Sequence, residues 1–231
     1  MTDLTGRTVL VAGATSDSGA VAVQALRDAG AFVVAVGHDP AKLEALAARV
    51  DPAGAGTAWE TASCDLTDEQ AVFGLAQRLH GDGIRVDGVL HLVGGWRGGG
   101  GLAGQSDADF RFLERSLTAL RHVSRAFDDD LNASDGARLA MISSTTVARP
   151  LAGGANYAAI KAASEAWMHA VAQGFAKTAR DAGRPLAAAS VVFRVKALAG
   201  LEQEVADRFI ALWDADPAEV NGAVVDLTAA S

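Results

Sequence analysis

Short β-branched runs alternate along the chain with longer stretches rich in alanine and leucine, whose apolar residues return at helical intervals. A strand buried on both faces reads as a continuous apolar run, and a helix lying on a sheet needs one apolar stripe. The alternation therefore predicts repeated βαβ units around a parallel sheet. Strands are expected at residues 8–12, 31–36, 57–63, 86–93, 138–143, 186–193 and 220–226. Helices are expected at 18–29, where Gly30 supplies the stop, at 40–50, where Pro40 suits the first turn, and from an Asp68 cap through His80. Three more are expected at 107–131, 156–181 and 201–213. No linker-like shift in composition and no internal repeat interrupts the series. The expected architecture is α/β: one doubly wound domain over residues 1–231, about seven mainly parallel strands with helices on both faces.

Of the 231 residues, 50% are hydrophobic and 21% charged, which suits a continuous core and excludes disorder as the main state. A balance of 20 basic against 28 acidic residues leaves a net charge of −8 with no separate Lys or Arg cluster, so nucleic acid is not an expected partner. Cys64 is the one cysteine, and His38, His80, His91, His122 and His169 show no ligand-type spacing. Neither a disulfide nor a metal site is expected. No apolar stretch approaches bilayer-spanning length, and the opening Met-Thr-Asp-Leu runs straight into the first strand. A cytoplasmic protein without membrane contact is expected.

The chemistry concentrates in two places. In the first, a strand passes through Gly13-Ala14-Thr15-Ser16-Asp17-Ser18-Gly19 into a helix. Glycine there lets a pyrophosphate reach the N–H groups of the helix start, with a purely structural turn as the alternative. Gly13, Thr15, Ser16 and Gly19 are the candidate contacts. In the second, Tyr157, the only tyrosine, precedes Lys161 by one helical turn, and Ser144 stands just past a predicted strand end, where open α/β sheets hold ligands. A phenol of pKa ~10 exchanges protons poorly at neutral pH, an adjacent ammonium favours its phenolate, and a serine hydroxyl can hold a carbonyl oxygen beside it. The three fit proton transfer coupled to hydride transfer at a carbonyl; a surface tyrosine with a solvated lysine is the alternative.

The Gly13-x5-Gly19 turn, Ser144, Tyr157-x3-Lys161 and the order of elements resemble the short-chain dehydrogenase/reductase family, a Rossmann-type fold. The resemblance implies Tyr157 as general acid/base, Lys161 as the residue that binds the nicotinamide ribose and tunes the tyrosine, and Ser144 as the group that orients substrate. It also places Asp65 and Leu66 beside an adenine ring. The chain departs from the family pattern at several points. Asp17 replaces the middle glycine, where its carboxylate faces the phosphates unless it turns away or caps the helix. His91-Leu92-Val93-Gly94 replaces Asn-Asn-Ala-Gly, keeping Gly94 for close approach to the cofactor, and His91 reads as a satisfied core histidine. Trp96 and Arg97, in the glycine run that follows, either reach a substrate or sit on a mobile loop. Arg115-Ser116-Leu117-Thr118 stands where relatives carry a central-helix asparagine. Arg194-Val195-Lys196 replaces the Pro-Gly after the sixth strand, so a short or missing substrate lid is expected. The Gly94-Gly95-Trp96 loop is also similar to that of the dihydropteridine reductase branch.

At the end of the second strand, Gly37 occupies the position at which an acid would select NAD through the ribose hydroxyls. His38 is either a contact for a 2′-phosphate or a surface histidine of no consequence, and Asp39 argues for NAD if it swings inward. NADP is the expected cofactor, with NAD the alternative. The expected activity is that of an NAD(P)-dependent oxidoreductase moving hydride between nicotinamide and a small carbonyl or alcohol, with Ser144, Tyr157 and Lys161 catalytic. The rival is a catalytically degenerate dinucleotide-sensing or structural member. The resemblance further implies a homo-oligomer, dimer or tetramer, in which Trp167 and Met168 face either a partner or the core.

Overall fold

In a computed structural model, which describes residues 2–51 and 59–227, the apolar runs form the strands β1 (Thr8–Ala12), β2 (Phe32–Gly37), β3 (Trp59–Ser63), β4 (Gly88–His91), β5 (Arg138–Ser144), β6 (Ala189–Val195) and β7 (Val224–Leu227). They lie in one sheet in the order β3-β2-β1-β4-β5-β6-β7, every neighbouring pair parallel. Parallel neighbours require crossover connections. Helices supply them: α1 (Asp17–Asp28), α2 (Pro40–Val50), α3 (Glu69–Gly81), α4 (Asp107–Ala126), α5 (Asp128–Ala133), α6 (Ala155–Asp181), α7 (Glu202–Ala211) and α8 (Pro217–Val220). The winding reverses between β1 and β4, and the crevice beyond their carboxyl ends is where such sheets hold ligands.

Consecutive strand residues bury opposite faces. Val9, Val11, Val33 and Leu90 pack with Val23 and Leu26 of α1, Leu43 of α2 and Phe209 of α7. Leu10, Val34, Val89 and Met141 pack with Leu79 of α3, Leu120 and Val123 of α4, and Phe175 of α6. Both faces are dry, which explains why the strand runs lack polar alternation.

The single helix expected over 107–131 breaks at Phe127 (φ −110, ψ 12) into α4 and α5. Phe127 and Leu131 are fully buried, and the bend carries the Asp130 carboxylate inward to accept from Val86 N at 3.0 Å and to meet His80 Nε2 at 3.0 Å. β7 begins four residues later than expected, because the Asp216 cap and Pro217 start a helical turn there first. β6 begins at Ala189 and extends to Val195. Of the third strand, positions 57 and 58 fall outside the described residues. Met168 lies in the core, and Trp167 is half-buried with Nε1 donating to Ser124 Oγ at 2.9 Å. Among the described residues, no helix is long and apolar enough to cross a membrane, and no His/Cys/Asp/Glu cluster could hold a metal ion.

Candidate active site

A cavity of about 490 Å³ opens beyond the ends of β1, β2 and β4, lined by Gly13, Thr15, Ser16, His38, Asp65, Leu66 and Gly94, together with Lys42, Thr67 and Arg115. Gly13 has φ +88, and a Cβ there would lie 3.1 Å from the backbone of Leu92 and Val93. A side chain would therefore close the space between the turn after β1 and the chain leaving β4. Gly19 does not line the cavity. A Cβ on it would meet Ala14 O at 2.5 Å, so its absence seats α1 tightly against the turn.

Ser16 caps α1: its backbone is extended, and its Oγ accepts from Gly19 N and donates to Gly13 O, both at 3.0 Å. Of the alternatives for Asp17, the structure shows the turn away from the phosphates, and the cap is Ser16 rather than Asp17. Its side chain is 95% exposed and pairs with Arg49 of α2 at 3.7 Å, outside the cavity, so the α1 N-terminus remains free to receive an anion.

At the β2 end, a Cβ on Gly37 would sit 2.7 Å from Thr15 Cγ2, so a side chain there would have to displace that of Thr15. Asp39 does not swing inward; it caps α2 by accepting from Ala41 N at 3.0 Å and Lys42 N at 3.3 Å. His38 and Lys42, both exposed, border this end. Lys42 was not among the residues expected here, although its place in the first turn of the helix that follows His38 was a readable signal. Asp65 accepts from Thr67 N at 2.9 Å and Thr67 Oγ1 at 2.7 Å, and these bonds hold its carboxyl below the usual range. Leu66 forms part of the wall, its carbonyl 3.2 Å from His122 Nδ1.

Tyr157, Lys161 and Glu165 follow one another at one-turn intervals along α6, opposite the end of β5. Thr146 donates to Ser144 Oγ from its N at 3.2 Å and its Oγ1 at 2.9 Å. The Ser144 hydroxyl also lies close enough to Tyr157 to draw the phenol pKa down. Burial is the larger effect, however, and the phenol lies above its ordinary value. This reverses the expectation that the ammonium would bring the phenol toward neutral pH. Lys161 Nζ is 5.8 Å from the Tyr157 ring centre and donates instead to Ile142 O at 2.7 Å. Burial also draws Lys161 itself down to about 8, with Glu165 opposing.

Lys161 Nζ would be 3.8 Å from a Cβ on Gly94, which joins the Ser144–Tyr157–Lys161 group to the glycine-walled cavity. Glu165, unmarked by sequence reasoning, accepts from Arg194 Nε at 2.8 Å and Nη2 at 2.6 Å and from Ser143 Oγ at 2.5 Å. Those donors hold its carboxyl below the usual range despite burial.

The glycine loop after Gly94 is pinned. Gln105 Nε2 donates to Gly99 O, Gly101 O and Gly153 O, its Oε1 accepts from Asn156 N, and Gly99 N donates to Gly153 O at 2.7 Å. Arg97 lies 4.0 Å from the centre of the Phe112 ring, while Trp96 is 61% exposed. Residues 196–201 alone connect β6 to α7, leaving room for only a short lid.

Residues 7–179, well over half of the chain, match the family model for short chain dehydrogenase. Over 92 residues, 40% of this chain, the sequence is 38% identical to a Streptomyces sp. (strain C5) protein named as a candidate daunorubicin C-13 ketoreductase; the match spans 32% of that relative's length. A structure described as a candidate short chain dehydrogenase from Pseudomonas syringae has a TM-score of 0.83 at 24% identity, covering 96% of this chain and 95% of that one. The NADPH-bound short chain oxidoreductase of Pseudomonas aeruginosa PAO1, described as containing an atypical catalytic center, has a TM-score of 0.84 at 17% identity over 100% of both chains. At these identities the two structures establish shared fold, and the family match carries the assignment: the chain belongs to the short-chain dehydrogenase/reductase family of oxidoreductases.

Proposed function

We propose that this protein is an NADP-dependent reductase of small carbonyl compounds with Tyr157 as its proton donor. The observation that carries the reading is the junction at Gly94, where a cavity suited to a dinucleotide meets a phenol, an amine and a hydroxyl. The glycine cradle fits the cofactor: Gly13 lacks the Cβ that would fill it, and α1 presents N–H groups with no carboxylate in front of them. Gly13, Thr15 and Ser16 would hold the pyrophosphate, His38 and Lys42 a 2′-phosphate, Asp65 and Leu66 the adenine side, and Gly94 and Lys161 the nicotinamide side. Bound NADPH supplies the hydride. Two features favour NADP over NAD, the glycine at position 37, which offers no carboxylate to the ribose hydroxyls, and the engagement of Asp39 as a helix cap.

The chain's own residues handle the proton. Ser144 turns its O–H toward the substrate oxygen, and Tyr157, held above the ordinary phenol value, remains protonated at neutral pH and donates as the alkoxide forms. The ammonium of Lys161 then stabilises the phenolate left behind. A phenol that keeps its proton suits reduction better than alcohol oxidation.

Titration of the protein with NADPH and NADH, followed by tryptophan fluorescence, and NADPH oxidation against a panel of aldehydes and ketones test the reading. The expected result is tighter binding of NADPH than NADH and carbonyl-dependent oxidation. Failure of both cofactors to bind at millimolar concentration overturns the reading, and tight binding without turnover on any carbonyl favours the sensor alternative.

A further inference from the structure

Lys161 carries three N–H donors, and Ile142 O takes one of them at 2.7 Å. The neighbouring strand ends in His91, whose Cα pairs with that of Met141, the residue before Ile142. The His91 ring lies on the sheet face covered by α4 and α6, with Nε2 3.2 Å from Ser116 O. A carbonyl oxygen can only accept, so Nε2 carries the proton and Nδ1 is left as a lone-pair acceptor. Nδ1 is buried and has no hydrogen-bond partner among the described residues. Burial and the positive charge of Lys161 hold the ring neutral, down to about 3. An enclosed acceptor without a partner is costly and rare, and here it lies within the field of an ammonium that has donors to spare.

We infer that His91 is a positioning residue for Lys161: anchored through Nε2 by Ser116 O, it offers Nδ1 to the Lys161 ammonium, directly or through one buried water. This aims the ammonium beside Tyr157 and keeps it charged to higher pH than burial alone would allow. The other groups around the lysine are Tyr157 and Glu165 on α6, with Arg194 of β6 and His169 acting on Glu165. Glu165 is already engaged by Arg194 and Ser143, so His91 contributes the unused acceptor. The inference rests on the roles proposed above for Tyr157 and Lys161, but its test does not depend on them.

Two amide replacements separate the nitrogens. The shorter amide of His91→Asn puts an acceptor near the place of Nδ1, whereas His91→Gln reaches the place of Nε2 and preserves the bond to Ser116. Lys161 is titrated in the cofactor-free protein by NMR of 13C-labelled lysine side chains. The chain has four lysines (Lys42, Lys161, Lys177 and Lys196), and the Lys161 signal is the one lost in Lys161→Arg. The expected result is a pKa lower by about one in His91→Gln and close to wild type in His91→Asn. The alkaline limb of the kcat–pH profile should move with it. An unchanged Lys161 in His91→Gln, or a larger fall in His91→Asn, overturns the inference. Should either variant fail to fold, 15N signals of the His91 ring in the wild type and in Lys161→Met decide: Nδ1 shifts when its donor is removed, and an unmoved Nδ1 overturns the inference. A shifted Lys161 with no carbonyl reduction by the wild type would instead count against the proposed function.

Discussion

Replacing Lys161 by methionine isolates the cost of holding an ammonium inside this site. In the folded protein the lysine titrates at about 8, against 10.5 for the ordinary amine to which unfolding returns it. Below pH 8 both states hold the proton and the folded chain bears the whole cost of the buried charge. Between 8 and 10.5 the unfolded chain holds more protons than the folded one, so wild-type stability rises with pH through that window; above it the cost is gone. The two values differ by about 2.5, which corresponds to about 3 kcal/mol. Methionine fills similar volume and does not titrate. Glu165 keeps its bonds to Arg194 and Ser143, whereas Ile142 O and, on the inference above, His91 Nδ1 each lose a partner, at about 1 kcal/mol each. The variant should therefore exceed wild type by about 1 kcal/mol at pH 7, and the difference should fall by about 3 kcal/mol, becoming a deficit, as the pH rises to 10.5. Urea unfolding of both proteins, followed by tryptophan fluorescence across this range, measures it. A difference between the two that stays constant from pH 8 to 10.5 would refute the reasoning.

Three further outcomes follow from the geometry. His38→Ala and Lys42→Ala should each weaken NADPH binding by about tenfold and leave NADH nearly untouched; equal losses for both cofactors in calorimetric titrations would remove the 2′-phosphate from the account. Gly19→Val should displace α1, because its Cβ would meet Ala14 O at 2.5 Å. Loss of cofactor binding and a lower Tm are expected, and wild-type binding would contradict the tight seating. Arg194→Leu leaves the Glu165 carboxylate buried with Ser143 as its remaining partner and should cost about 3–5 kcal/mol at pH 7. Without Arg194 the folded-state pKa of Glu165 rises, so this deficit should shrink as pH falls through it; thermal melts showing the same deficit at pH 5 and pH 7 would exclude the assignment.

The sheet was legible because its strands are buried on both faces, so runs such as Val9–Ala12 and Val33–Val36 announce themselves without reference to distant residues. The break at Phe127 was not, since neither proline nor glycine marks it; it depends on Asp130 reaching Val86, 44 positions away in the chain. The choice between Ser16 and Asp17 as helix cap was equally hidden. Both residue types can cap, and the seating of Gly19 on Ala14 decides between them. Spacing placed Lys161 one turn from Tyr157 but carried no sign that its Nζ bonds to Ile142 O on β5. His91 is the core histidine expected on an apolar strand, but it is not the satisfied one expected, because its Nδ1 has no partner among the described residues. That one of its nitrogens would lack a partner depends on how α4 and α6 close over β4, which local sequence does not encode.

The central claim, that Tyr157 delivers the proton, is tested most directly by mixing a reducible carbonyl with wild-type and Tyr157→Phe protein, each saturated with NADPH, and following oxidation of the cofactor. The account predicts a loss of about 10²- to 10⁴-fold in rate with NADPH affinity unchanged. Equal rates in the two proteins would contradict it.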